Sequence, residues 1–169
     1  MRKTLSEKIF GRKIFILIIC IFSVTYGLKG VLRSIPLGYA TASGNSMYNT
    51  IKNQGKLLVN YDKNVKLNRG DIVSVLVYEN DKPTIILKRI IVLPEETITI
   101  DKSKIYVNGE LVDEPYAYYS LEINDNMKVS LKTDEYFVMG DNRVKSTDSR
   151  SIGPIPRESI VGKILKYKN

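Results

Sequence analysis

Ser46 and Lys88 are the two residues whose types and settings suit them to break a bond together. The chain contains no histidine, and its single cysteine, Cys20, lies inside an apolar stretch. A Ser-His-Asp triad, a Cys-His dyad and a His-ligated zinc site are therefore excluded. No intrachain disulfide can form, and a thiol at that depth is out of reach of water. Any hydrolysis must rest on Ser, Thr, Lys, Asp or Glu.

Ser46 lies in SGNSMYNT (43–50), a turn-rich stretch expected to open a short helix at Ser46. Gly44 lets the backbone adopt φ > 0 or approach a substrate closely. A serine at such a helix start exposes its hydroxyl, and its own N–H is an orphan donor free to face an oxyanion. A plain N-cap serine fits the same segment and is the commoner role.

Lys88 lies in TIILKRIIVL (84–93), where a period of two places it on one face with Ile86, Ile90 and Val92. Arg89 falls on the other face with Leu87 and Ile91, so one of the two charges must occupy a largely apolar face. Burial disfavours an ammonium and lowers its pKa, and a neutral lysine can take a proton from a serine hydroxyl. The alternative is an edge-strand lysine with its head in water. The loop GDNRVKSTDSRSIG (140–153) adds Asp141, Arg143, Asp148 and Arg150 with several hydroxyls, enough to brace a site by internal bonds. It reads equally as a solvated loop with weak ion pairs. Its acidic residues do not follow the EF-hand spacing, and no metal is expected.

The elements that must position these residues are mostly strands. Lys56–Asn60, Ile72–Tyr78 and Thr84–Leu93 read as strands, the last two flanking the hairpin-like ENDKP. Thr97–Ile100 alternates, and Ile105–Val107 and Glu110–Val112 flank Asn108-Gly109, a strong hairpin signal. Tyr136–Met139 and Ile160–Leu165 complete the set, and 34–42 reads as extended. With no long helical period in this region, residues 33–169 are expected to form a mainly antiparallel β domain.

Ahead of it lies IFILIICIFSVTYGL (14–28), a helix of roughly 22 Å that reaches roughly 28 Å if residues 30–32 extend it. That predicts a membrane anchor over 14–32. Seven basic residues against Glu7 alone give residues 1–33 a charge of +6, leaving +2 of the total +8 for the rest. This excess surrounds the apolar stretch, which points to a membrane surface and lipid, not to nucleic acid. Five of these basic residues precede the stretch, placing residues 1–13 in the cytoplasm and the β domain outside. A cleavable signal is the competing reading, because Ala40-Thr41-Ala42 has the A-x-A pattern. That motif sits far beyond the apolar run.

In order along the chain, these segments resemble the type I signal peptidases. SGNSMYNT is similar to that family's serine box, GDIVSV (70–75) to its next block and LKRIIVLPEE (87–96) to its lysine box. VNGELVDEPY (107–116) and GDNRVKSTDSRSIG are similar to its later segments. The resemblance implies a membrane-bound endopeptidase that removes signal peptides from exported preproteins, without a cofactor. It implies Ser46 as nucleophile, Lys88 as general base and Ser146 as the hydroxyl that orients the lysine. Asp148 and Arg150 would brace the site. The turn Gly44, Asn45 and Ser46 would form the oxyanion region, with the Ser46 N–H as one donor and the second undefined. Met47 would support the turn, and Leu87 would help form shallow pockets for small side chains.

The chain departs from the family pattern at Asn49, where proline is usual, and at Val92 and Glu95, where glycine is usual. Glu96 stands where aspartate is usual. These departures suggest service to a few clients such as pilins. A non-catalytic assembly factor for surface or pilus proteins is the alternative reading. A self-cleaving repressor shares the serine/lysine pair but calls for an N-terminal helix-turn-helix domain. The number of copies in the working assembly is left open.

Overall fold

The computed structural model describes Ser23 and residues 36–119 and 126–169. The expected anchor at 14–32 and the cytoplasmic segment 1–13 lie outside the described residues, Ser23 apart. Among the described residues, no helix is long and apolar enough to cross a membrane.

Residues Leu37–Asn169 form one unit. Its strands are β1 (Leu37–Thr41), β2 (Lys56–Asn60), β3 (Ile72–Glu79), β4 (Lys82–Val92), β5 (Thr97–Asp101), β6 (Lys104–Val107) and β7 (Glu110–Leu111). They continue with β8 (Met127–Ser130), β9 (Glu135–Met139), β10 (Ile155–Pro156) and β11 (Ile160–Lys168). A seven-stranded sheet runs β1-β2-β11-β3-β4-β9-β10, and a four-stranded sheet runs β7-β6-β5-β8. Every strand pairing in them is antiparallel. The mainly antiparallel β architecture expected from the sequence is therefore observed.

Local chemistry explains the hairpins. β3 and β4 carry IVSVLVYE and KPTIILKRIIV, rich in β-branched residues that fit a pleated surface. Glu79 pairs directly with Lys82, so the turn is Asn80-Asp81 alone, shorter than the ENDKP read from sequence. Both turn residues have positive φ (49° and 59°), and so do Asn108 (52°) and Gly109 (88°) between β6 and β7. Two successive positive φ angles match the right-handed twist of the flanking strands.

A bulge between Ile90 and Val92 corrects the strict alternation expected for β4. It shifts the register, so Ile90, Ile91 and Val92 are all fully buried. Ile90 packs with Val73, Val75 and Val138, while Ile91 and Val92 pack with Ile98, Ile100 and Phe137 of the smaller sheet's core. Val92 therefore does not share a core with Ile90.

Past β4, Glu95 is exposed and has φ 66°, a conformation costly for any residue with a Cβ. Glu95→Gly is expected to raise stability by about 0.5–1 kcal/mol, the relief of strain outweighing the added freedom of the unfolded chain. A urea midpoint that stays put or falls would refute this. Glu96 beside it receives Leu93 N–H at 2.7 Å and pairs with Arg69 at 2.7 Å, which holds the β4–β5 connection.

Candidate active site

Three segments meet here: the turn after β1, the middle of β4 and the loop after β9. The turn holds Ser46, but the short helix expected there does not form. Tyr48 N–H bonds to the Asn45 carbonyl, and the Thr50 and Ile51 N–H groups both bond to the Met47 carbonyl. Asn49 then takes φ 94°, which stops a helix from propagating. Proline, its φ fixed near −65°, cannot adopt that conformation. Gly44 has φ 88° and open space where a Cβ would be. Its N–H is held by Asn53 Oδ1 at 3.1 Å. Met47 is buried with Ala42, Ile51 and Leu57, and half-buried Leu87 packs against the same cluster.

Lys88 is 2% exposed. Its Nζ lies 3.1 Å from Ser46 Oγ and 3.0 Å from its neighbour's carbonyl, Leu87 O. Burial pushes the amine down from 10.5 to about 8. The charges of Asp148 and Glu79 pull the other way, and Arg150 adds slightly to the lowering. The site thus holds a lysine that loses its proton far more readily than a solvated one, in contact with a serine hydroxyl.

Lys88 is buried and Arg89 is partly buried, its side chain 11% exposed, where the sequence reading required only one of them on an apolar face. Arg89 donates Nε to Asp141 Oδ1 at 2.8 Å and Nη2 to Oδ2 at 2.6 Å, and it donates Nη1 to Gly70 O. Thr50 Oγ1 donates to the same carboxylate. Tyr116 covers the guanidinium, with its ring centre 4.0 Å away. Burial works against the Arg89 charge, but the Asp141 hydrogen bonds and charge outweigh it and raise the guanidinium's pKa. Asp141 therefore joins the strand carrying Lys88 to the turn carrying Ser46. Sequence reasoning missed this clamp; its signal was a guanidinium on a buried face, which demands an anion.

The loop after β9 closes the arrangement. Asp148 is fully buried and N-caps the short helix α1 (Ser149–Ile152). It pairs with Arg150 through 2.8 and 2.9 Å bonds and accepts Gly140 N–H at 3.0 Å. Burial pushes its carboxyl up, but the Arg150 bonds and charge and the Gly140 N–H carry it below the ordinary carboxylate range. Asn142 N–H donates to Ser46 O at 2.9 Å, tying the loop to the serine's own peptide. A second buried pair, Arg143 with Glu114 at 2.6 Å, anchors the loop to the segment after β7.

Ser146 is the residue the structure places differently from expectation. Its buried hydroxyl makes no hydrogen bond, so Lys88 is held by Leu87 O and Ser46 and not by Ser146. It lies close enough to Asp148 to favour the ionised carboxylate without a bond of proper geometry. It also packs against Gly140: a Cβ there would lie 2.5 Å from Ser46 O and closer still to Ser146 Oγ. Among the described residues, no cluster of side chains is arranged to hold a metal ion.

Comparison with known proteins adds a separate line. A family model described as signal peptidase, peptidase S26, matches residues 12–167. Signal peptidase I T of Bacillus subtilis (strain 168) is 39% identical over 131 positions, covering 70% of this chain and 67% of that protein. Signal peptidase I P of Bacillus subtilis subsp. natto is 34% identical over 174 positions, covering 93% and 90%. The crystal structure of a signal peptidase I from Enterococcus faecalis V583 aligns with a TM-score of 0.51 and 26% identity, covering 60% of this chain and 98% of that one.

Proposed function

Because the chain belongs to the peptidase S26 family of signal peptidases, we propose that it cuts signal peptides from exported preproteins by a serine/lysine mechanism, with Ser46 as nucleophile and Lys88 as general base. The observation that carries the proposal is the 3.1 Å contact between Ser46 Oγ and a buried lysine amine.

In the proposed reaction the neutral Lys88 amine takes the Ser46 proton as Oγ attacks the scissile carbonyl. The Ser46 N–H, which no acceptor among the described residues takes up, would hold the oxyanion. The lysine ammonium then protonates the leaving amine, and water releases the acyl group from the serine. Asp148 and Arg150 hold the loop through Gly140, and Asp141 and Arg89 hold the turn against β4. Ser46, Lys88, Asp148 and Arg150 thus have proposed roles, and Ser146, without a hydrogen bond here, packs against Gly140.

The topology proposed with it is a cytoplasmic segment 1–13, an anchor over 14–32 and an extracytoplasmic β domain over 33–169, with lipid as a standing partner. A narrow client range, pilins among the candidates, remains part of the proposal, because Asn49 sets the backbone of the serine turn. The Ser46–Lys88 contact favours the catalytic reading over a non-catalytic assembly factor.

The test is incubation of the purified full chain with preproteins and pilins, followed by N-terminal sequencing of the products, with Ser46→Ala as control. Cleavage that persists in Ser46→Ala would sink the mechanism. A pH profile tests the base. With the amine at about 8, the active neutral form grows as pH rises through that value. The rate should fall roughly tenfold per pH unit below it, to about a hundredth of its plateau near pH 6. A folded enzyme with a flat rate from pH 5 to 9 would remove lysine from the role of base.

A further inference from the structure

Beside Ser46 lies a cavity of about 420 Å³ lined by Asn45, Tyr48, Tyr118, Asn142, Val144 and Lys145. It is built onto the serine's own backbone, since Asn142 bonds to both Ser46 O and Asn45 O. Tyr48 and Tyr118 meet edge to face at 5.9 Å and form an aromatic wall. None of its six lining residues belongs to the apolar cluster of Ala42, Met47 and Leu87 on the other flank of the turn.

We propose that this cavity receives the side chain that follows the scissile bond, and that it selects a carboxylate there. The inference rests on the peptidase reading above and adds a specificity to it. The family resemblance implies shallow pockets for small side chains before the cut, whereas this cavity is of a size that holds whole side chains or small ligands. It is therefore matched to the released half of the substrate.

Its chemistry is cationic. Lys145 is exposed, and its ammonium makes no ion pair among the described residues. The nearby acids are already engaged: Asp141 with Arg89, Asp148 with Arg150 and Glu114 with Arg143. An incoming Asp or Glu would meet one uncompensated positive charge, and its methylenes would lie against the tyrosine rings. An incoming lysine would meet repulsion.

The experiment uses the full chain in detergent with three fluorogenic peptides that differ only in the residue after the cut: Glu, Ala or Lys. The ratio of kcat/KM for Glu over Lys is expected to be roughly threefold to tenfold, one exposed ion pair gained and one like-charge repulsion avoided. It should shrink as salt is raised to about 0.5 M. Lys145→Glu should invert the ratio. A ratio near one in the unaltered chain, or one unchanged in Lys145→Glu, would overturn the proposal. Absence of cleavage of every peptide would count against the peptidase reading instead. The cavity is then read by equilibrium binding of the same peptides to the Ser46→Ala chain: tighter binding of the Glu peptide, reversed when Lys145→Glu is added, supports it, and equal affinities overturn it.

Discussion

Replacing Lys88 by methionine is expected to abolish cleavage and stabilise the protein at once. Without the amine, nothing in contact with Ser46 can take its proton, and loss of such a group lowers kcat by roughly 10⁴-fold to 10⁶-fold. The stability gain follows from linkage. The folded-state pKa of Lys88 is about 8, below its value of 10.5 in a solvated chain. Between those values the unfolded chain binds more protons, so stability rises with pH across that window, and the penalty is complete below about pH 8. Methionine fills similar volume without a charge and should recover on the order of 1–3 kcal/mol at neutral pH. That gain is trimmed by the Leu87 carbonyl losing its donor. The paired measurement is turnover of a preprotein and the urea midpoint near pH 7. A variant that loses activity because it unfolds would contradict the account, as would one that keeps its turnover.

Gly140→Ala should be the most damaging small change outside the serine and lysine. The new methyl would intrude on Ser46 O at 2.5 Å and on the Ser146 side chain. Ser46 O belongs to the peptide that positions the nucleophile and already accepts from Asn142. Relief of the clash must move either the serine turn or the loop that Asp148 holds through Gly140 N–H. Overpacking of this kind costs about 1–3 kcal/mol. Misplacement of the oxygen by an ångström costs about 10²-fold in rate. Adding Ser146→Gly removes the side-chain part of the clash and should restore part of the stability and less of the rate, because the Ser46 contact remains. Full activity in Gly140→Ala would show that the turn is not braced by this contact.

Much of this fold is legible in the residues, with identifiable exceptions. Ile72–Glu79 and Lys82–Val92 announce themselves by β-branched runs, and Asn108-Gly109 by its turn chemistry. Met127–Ser130 carries too weak a pattern to stand out as a strand: only four residues long, it half-buries Met127 and Val129 and exposes the residues between and after them. Leu37–Thr41 shows in the sequence only as extended, because its pairing with Lys56–Asn60 is set across a turn-rich connection. The helix expected at Ser46 fails at Asn49, whose backbone turns the chain aside. At the site, the alternation of β4 required one of Lys88 and Arg89 to lie on an apolar face, and the structure buries Lys88. The Arg89–Asp141 clamp does not follow from the sequence, since its members lie 52 positions apart and only tertiary folding brings them together. The bond expected between Ser146 and Lys88 is absent: the amine bonds to Leu87 O and Ser46 Oγ, and the Ser146 hydroxyl has no hydrogen-bond partner.

The backbone at Asn49 also limits how sequences of this kind can drift. With φ at 94°, the position is closed to the proline usual in the wider family until the whole turn changes course. Asparagine can occupy a proline's backbone conformation, but proline cannot occupy this one, so the exchange is blocked in one direction only. A graft of a relative's complete segment is therefore the workable exchange, and Asn49→Pro alone the failing one.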